Sequence, residues 1–329
     1  MIITKTPFRI SFFGGGTDVE SFFNQNSGAV ISTTFDKYCY VTVRHLPRFF
    51  SYKTHLTYSK VEYVNEYDEI EHPLIRNAMK FLDIHDIRLT YDADLPARSG
   101  LGTSSSFAVG MLSAFYGLKN KYADKKRLAD EAIYLERELC NEAGGWQDQI
   151  AASFGGFNRI DFFDGKYKVT PLIIPMLRKK ALNDSLMMFF TGFVRYSAEI
   201  QAGNKSENKV RILEKMLKLV DEGEKILVSK DISLDEFGIL LDKSWQLKRK
   251  TGGNVSTSII DEYYQKAIEA GALGGKLLGA GGGGFLLFYV PENKRANVME
   301  TMKDLLYIPF EFETSGTSIV HYSEETYNG

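Results

Sequence analysis

The chain is short of nearly everything that would mark an exported, zinc-bearing or membrane-spanning protein. Two cysteines among 329 residues, Cys39 and Cys140, each sit in an apolar stretch. They support no disulfide framework; buried free thiols in a reducing, cytoplasmic compartment are expected. Five histidines are scattered without metal-ligand spacing, which argues against a zinc enzyme. No apolar run approaches ~20 residues, so no helical membrane span is expected. The segment Met1-Ile2-Ile3-Thr4-Lys5 opens as a strand, not as a signal peptide. The formal net charge is −2 and no Lys/Arg block is long enough for a nucleic-acid arm, so neither nucleic acid nor a membrane is an expected partner. Also missing are a G-x-x-x-x-G-K-[ST] loop and the catalytic-loop and D-F-G signatures, which excludes P-loop proteins and protein kinases. The 44% hydrophobic and 25% charged content is that of an ordinary globular chain, long enough for two modest domains or one large one.

What the chain does have is glycine, gathered in loops. The stretch Pro96-Ala97-Arg98-Ser99-Gly100-Leu101-Gly102-Thr103-Ser104-Ser105-Ser106 runs through two glycines into four hydroxyl residues and then into helical spacing. Glycine lets backbone approach a ligand, and a helix opening here points free N–H groups into the loop. Such an end attracts phosphate. A capped helix after a tight turn is the plain alternative, and the run of hydroxyls favours the phosphate loop.

A second loop, Gly14-Gly15-Gly16-Thr17-Asp18, ends a strand over residues 2–13. Arg9 lies inside that strand among apolar neighbours, where an unpaired cation is costly, so it needs a carboxylate or phosphate partner. Asp18 reads equally as a helix cap or a site residue. Along residues 125–142 a helical wheel places Ala129, Ala132, Ile133, Leu139 and Cys140 within roughly 60° of Glu136. A carboxylate in an apolar stripe is either half of a buried ion pair or part of a metal or metal–phosphate site. Asp148, in Gly144-Gly145-Trp146-Gln147-Asp148-Gln149, reads as a helix cap or as the partner that Arg9 requires. The third loop, Gly279 to Gly284, contains G-x-G-x-x-G, but a strand follows it where a dinucleotide fold needs a helix.

Around these loops the pattern predicts strands over 29–34, 38–44, 56–64, 87–91, 186–190 and 285–290. Helices are predicted over 18–23, 73–83, 103–118, 125–142, 207–228, 234–250, 259–270 and 293–305. A hairpin is expected around Asp164-Gly165, and a last strand pair over 308–322.

Taken together, Pro7-Phe8-Arg9-Ile10-Ser11-Phe12-Phe13-Gly14-Gly15-Gly16-Thr17-Asp18, then Pro96 to Ser106, then Lys276 to Phe285 resemble, in order, the three motifs of the GHMP kinases. This is the family of galactokinase and of homoserine, mevalonate and phosphomevalonate kinases. The first motif departs from galactokinase, which has glutamate and histidine before the Thr-Asp pair. The spacing from Glu136 to Asp148 is one residue longer than in mevalonate kinase.

The resemblance implies an α+β, two-domain fold: a ribosomal-protein-like N-terminal domain over 1–170 and a ferredoxin-like C-terminal domain over 171–329. It implies ATP and Mg²⁺. Pro96, Gly100, Leu101, Gly102, Thr103, Ser104, Ser105 and Ser106 would wrap the ATP phosphates, and Ser104 and Glu136 would hold the metal. Asp148 would accept the proton of the attacking hydroxyl, with Arg9 beside it neutralising charge on the transferring phosphoryl group. Gly14, Gly15, Gly16, Thr17, Asp18, Gly281, Gly282 and Gly283 would bind the substrate. Within the family the wording is nearest to sugar 1-kinases acting on a heptose 7-phosphate. Lys37, Arg44, Arg98, Arg178 and Arg195 are candidates for a distal phosphate. A 1-kinase for an unphosphorylated sugar such as fucose, a sensor that binds sugar and ATP without catalysis, and a homodimer all stay open.

Overall fold

The computed structural model describes residues 1–192, 207–252 and 255–324. Strand β1 (Ile2–Phe13) is buried along almost its whole length and pairs antiparallel with β2 (Gly28–His45). Between them lie the first glycine loop and a short helix α1 (Glu20–Asn26). At 18 residues, β2 is long enough to serve three partners on its other edge. Its start pairs with β6 (Asn158–Phe163), its middle with β12 (Phe312–Glu313) and its end with β5 (Ile87–Ala93). The sheet continues through β3 (Thr54–Thr57) to β4 (Val61–Val64), and β7 (Lys166–Pro171) extends β6. Among the described residues only the β3–β5 pairing is parallel. The β6–β7 hairpin turns at Asp164 (φ 45°) and Gly165 (φ 66°), the pair of positive φ values that a two-residue hairpin turn demands.

Helices α2 (Pro73–Leu82) and α3 (Thr103–Leu118) cover one face of this sheet. Apart from Ser104 and Leu118, α3 is buried along its length, which is why its sequence is apolar all round and not striped. Helices α4 (Lys125–Tyr134) and α5 (Gln147–Phe154) pack beside it. A helix α6 (Met176–Ser185), not expected from the pattern, leads into the second sheet.

That sheet has four antiparallel strands, β8 (Leu186–Phe190), β9 (Gly274–Leu277), β10 (Phe285–Tyr289) and β11 (Leu306–Ile308), in the order β11-β8-β10-β9. Numbered within the sheet, this is 4-1-3-2, the ferredoxin-like arrangement expected for the second half. Helices α7 (Glu207–Val228), α8 (Asp235–Arg249) and α9 (Ser258–Glu269) connect β8 to β9, and α10 (Arg295–Thr301) connects β10 to β11. One core joins the two sheets: Phe8, Ile10, Phe12 and Phe13 of β1 pack with Leu219 and Val220 of α7, Phe237 and Leu241 of α8, and Leu287 of β10. Burial of this size holds two sheets as one body.

Three expectations need correction. The strand over 56–64 is a hairpin, β3 and β4. The helix over 125–142 stops being α-helical at Tyr134; Leu135–Leu139 form a π turn, closed by the Cys140 N–H donating to the Leu135 carbonyl at 2.9 Å. A π turn holds one residue more than an α turn, so it shifts the phase of the residues that follow it. It also brings Leu135 and Glu136 inward together and leaves Leu139, placed on the buried stripe by the wheel, exposed. Finally, the last strands do not stay with the second half. β12 pairs with β2, and β13 (Ser318–Tyr322) with β1, because the bare edge of β1 offers it a ladder.

Candidate active site

Strand β1 delivers Arg9 beneath the phosphate loop, and α5 delivers Asp148 to the same point. Arg9 Nε donates to Asp148 Oδ1 at 2.7 Å and Nη2 to Oδ2 at 2.8 Å, a two-bonded fork. Its third arm, Nη1, donates to the Gly100 carbonyl at 2.7 Å, and its backbone N–H to the Leu101 carbonyl at 3.1 Å. The guanidinium is buried, whereas the Asp148 side chain keeps 24% of its surface exposed. The pair is therefore rigid on the arginine side and accessible on the carboxylate side, as a group that must touch a substrate has to be.

The phosphate loop meets this pair at Gly102. A Cβ there would lie 3.2 Å from Arg9 Cγ and 3.4 Å from the Asp148 carboxyl carbon, and φ is 75°. Only glycine brings the start of α3 this close to Asp148 without strain. Gly102 is the N-cap of α3 and supplies no side-chain cap, so the first turn keeps free N–H donors. The hydroxyls expected to line this turn divide. Ser106 Oγ donates to the Pro7 carbonyl at 2.9 Å, and Thr103 Oγ1 accepts from the Arg98 N–H at 3.3 Å. Ser104 alone is exposed. Leu101 is buried in the core, so only its backbone faces the loop.

Glu136 is 1% exposed. Its Oε2 accepts from Ser105 Oγ at 2.7 Å and from Gln149 Nε2. The hydroxyl in contact with the buried acid is that of Ser105, because the residue after Ser104 points a further 100° around the helix, toward the π turn, while Ser104 itself is exposed. No lysine or arginine forms a salt bridge with Glu136 among the described residues, so the ion-pair alternative falls. The Gln149 Oε1 atom beside it is buried without a partner. A buried carboxylate with neutral donors only, next to an orphaned carbonyl oxygen, fits a hard cation. Among the described residues no cluster of three acidic, histidine or cysteine side chains exists. Such a cation would therefore depend on phosphate oxygens for the rest of its ligands, as Mg²⁺ commonly does.

On the other side, Asp18 is buried, and its Oδ1 accepts from the Gly16 N–H at 2.9 Å and its Oδ2 from the Gln147 N–H at 3.3 Å. Burial, and then the nearby charge of Asp148, push its carboxyl above the usual range. Gly145 is forced by this contact, since a Cβ there would stand 1.8 Å from Asp18 Oδ2. Thr17 is fully buried and its hydroxyl is spent on the loop itself, donating to the Gly14 and Ala29 carbonyls. It shapes the loop, and its side chain is not free for a substrate. Gly281 and Gly282 lean on Val255, while Gly279 and Gly284 press on Gly100 and Ser99, so the third loop buttresses the phosphate loop from behind.

Two residues escaped the sequence reading. Lys276 on β9 is 4% exposed and donates Nζ to the Ser11 and Phe12 carbonyls at 2.9 and 2.7 Å, without a carboxylate partner. Burial, with the Arg9 charge nearby, pushes its ammonium down to about 7. A lysine between a helix and an apolar strand was a visible signal. Arg137, in the π turn, lines a cleft of about 460 Å³ with Val19, Glu20, Ser21, Asn24, Gly144 and Trp146, and its Nη1 donates to the Glu142 carbonyl at 2.9 Å. Of the basic residues proposed for a distal phosphate, Lys37 is engaged by Asp36 and Arg178 by the Ile226, Leu227 and Ile232 carbonyls. Arg44 is exposed, Arg98 lies in the phosphate loop and Arg195 falls outside the described residues.

Residues 70–156 match the model of the GHMP kinases N terminal domain and residues 225–308 that of the GHMP kinases C terminal domain. The chain is 30% identical over 323 residues to D-glycero-alpha-D-manno-heptose 7-phosphate kinase of Campylobacter jejuni, covering 92% of this chain and 93% of that protein. It is 25% identical to the galactokinase of Pyrococcus furiosus, over 90% and 91% of the two chains. In fold it resembles a D-glycero-D-manno-heptose 1-phosphate kinase from Bacteroides thetaiotaomicron, with TM-score 0.80 and 24% identity over 98% and 100% of the chains. With its glycine loops in the family's order, its two-sheet fold and these relatives, the chain belongs to the GHMP kinase family and is an ATP-dependent phosphotransferase acting on a sugar hydroxyl.

Proposed function

We propose that the protein transfers the γ-phosphoryl group of ATP to the anomeric hydroxyl of D-glycero-D-manno-heptose 7-phosphate, a step toward nucleotide-activated heptose. The observation that carries the transfer chemistry is the Arg9–Asp148 fork set against Gly102 at the start of α3. A carboxylate there lies within reach of a hydroxyl that attacks a phosphoryl group seated on the helix N-terminus. Asp148 accepts that proton. Arg9 orients it and, with the free N–H groups of α3, balances charge on the transferring group. Ser104 and Glu136 would hold Mg²⁺, which would supply positive charge to neutralise the phosphate oxygens. Gly14, Gly15, Gly16 and Asp18 form the sugar side, and Gly281, Gly282 and Gly283 close it behind the phosphate loop.

The sugar identity rests on the heptose 7-phosphate kinase relative. It is supported by the Arg137 cleft, which begins one residue beyond Asp18 and offers a guanidinium to a distal phosphate. We assign residues 1–170 and 171–329 as the two domains, with the final strands returned to the first. The two free cysteines, Cys39 and Cys140, support a cytoplasmic location. The test is ATP consumption with Mg²⁺ across heptose 7-phosphate, free heptose, mannose, galactose and fucose. Turnover with heptose 7-phosphate above all others is expected; preference for a free sugar overturns the substrate and leaves the kinase.

A further inference from the structure

Two polar side chains beside the catalytic pair have no partner. Ser11 Oγ on β1 and Gln147 Oε1 at the start of α5 are both buried and make no hydrogen bond. Burying such groups unpaired is costly, so their presence beside this pair asks for a ligand. The two side chains border one point: the Cβ position of Gly15 lies 3.8 Å from Ser11 Oγ and 3.9 Å from Gln147 Nε2, the other arm of the amide whose Oε1 is orphaned. The surrounding wall is polar and fixed. Asp18 Oδ2 holds the Gln147 backbone N–H, Lys276 holds the Ser11 carbonyl, and Asp148 follows Gln147 directly in the chain.

We propose that Ser11 and Gln147, over Gly15, form the subsite for a second sugar hydroxyl, next to the one that is phosphorylated. A serine hydroxyl and a carboxamide can each donate and accept, which is what an alcohol needs on its two sides. The subsite is selective for the same reason. A sugar lacking that hydroxyl leaves both groups buried and unpaired, and sites of this kind reject deoxy analogues far more strongly than apolar pockets do. Gly15 is the key to the space. Unlike Gly14 and Gly16 it has no positive φ, so no backbone demand keeps it glycine. What remains is the requirement that the space above it stay free for substrate. The inference depends on the acceptor being a sugar, not on its being a heptose.

The experiment is Gly15→Ala, with steady-state kinetics on heptose 7-phosphate, mannose and fucose and with ATP varied separately. The added methyl meets no atom closer than 3.8 Å, so the melting temperature and the KM for ATP should stay at wild-type values. The KM for the sugar should rise at least tenfold. A sugar KM within twofold of wild type overturns the subsite. Gln147→Leu and Ser11→Ala supply a second readout against a panel of monodeoxy sugars. Each variant should lose against the full sugar but not against the one analogue lacking the bound hydroxyl; equal losses on every analogue overturn it. If the wild type turns over mannose or fucose but not heptose 7-phosphate, the substrate reading fails while Gly15→Ala still decides the subsite. A wild type that phosphorylates none of them overturns both.

Discussion

Lys276 reaches across from the second sheet to grip the backbone carbonyl of Ser11 at 2.9 Å, 265 residues away in sequence. A second bond to Phe12 makes it a clamp on the strand that carries Arg9 and delivers the first glycine loop. The clamp is an amine in an apolar core, so its protonation bears on stability.

In the folded chain the Lys276 ammonium loses its proton near pH 7, against 10.5 for an ordinary lysine. Between those values the unfolded chain binds a proton that the folded chain has shed, so this group makes folding more favourable as pH rises through the window. Below pH 7 both states are protonated and the burial penalty is constant. Urea unfolding of wild type and Lys276→Met at pH 6, 8 and 9.5 should show the stability difference moving in favour of wild type with pH. A difference that is flat across that range would falsify the assignment.

Replacing Asp148 by Asn removes the group proposed to take the proton and leaves the Arg9 fork one acceptor in place of two. Turnover should fall by roughly 10²–10⁴, while the KM for ATP changes little. Near-wild-type turnover removes Asp148 from the mechanism.

Ser104 and Ser105 are neighbours with different duties, and alanine at each separates them. Ser105→Ala takes a donor from the buried Glu136 carboxylate, and should cost about 1–3 kcal/mol of stability. Ser104→Ala, at an exposed position, should leave unfolding unchanged and raise the Mg²⁺ concentration needed for half-maximal turnover. Thermal melts and Mg²⁺ titrations of both variants check this; the opposite assignment of effects would give the metal to Ser105 in place of Ser104.

Arg137→Ala should raise the KM for heptose 7-phosphate by about 10–100-fold, the value of a charge-assisted bond pair. Free heptose carries no phosphate to lose, so its KM should not move. Equal effects on both sugars would show that Arg137 supports the loop at Gly144 and does not bind phosphate.

The glycine loops were legible in the sequence because close backbone approach leaves a residue no alternative: Gly102 against Asp148 and Gly145 against Asp18 announce contact by composition alone. Arg9 was legible for a similar reason, since a cation inside an apolar strand must have a partner. The π turn was not, because a helical wheel presumes one fixed period, and a single inserted residue turned Leu139 outward and gave Glu136 to Ser105. The resemblance put Thr17 among the substrate residues; its two carbonyl partners come from β2 and from the loop itself, and only folding brings them together. The return of the last strands to the first sheet leaves no local signal, since pairing is chosen by an edge some 300 residues away.

That return has a consequence for how the protein is made. The Met1 ammonium donates to the Ser323 carbonyl at 2.6 Å, and the Ser323 N–H donates back to Met1 at 2.9 Å. Strand β1 is synthesised some 300 residues before the strand that covers its outer edge. Until that strand is made the nascent chain displays an open edge of the kind that recruits other chains. The clamp from Lys276 is made 265 residues after Ser11, so the strand bearing Arg9 is held on both counts only by segments made long after it.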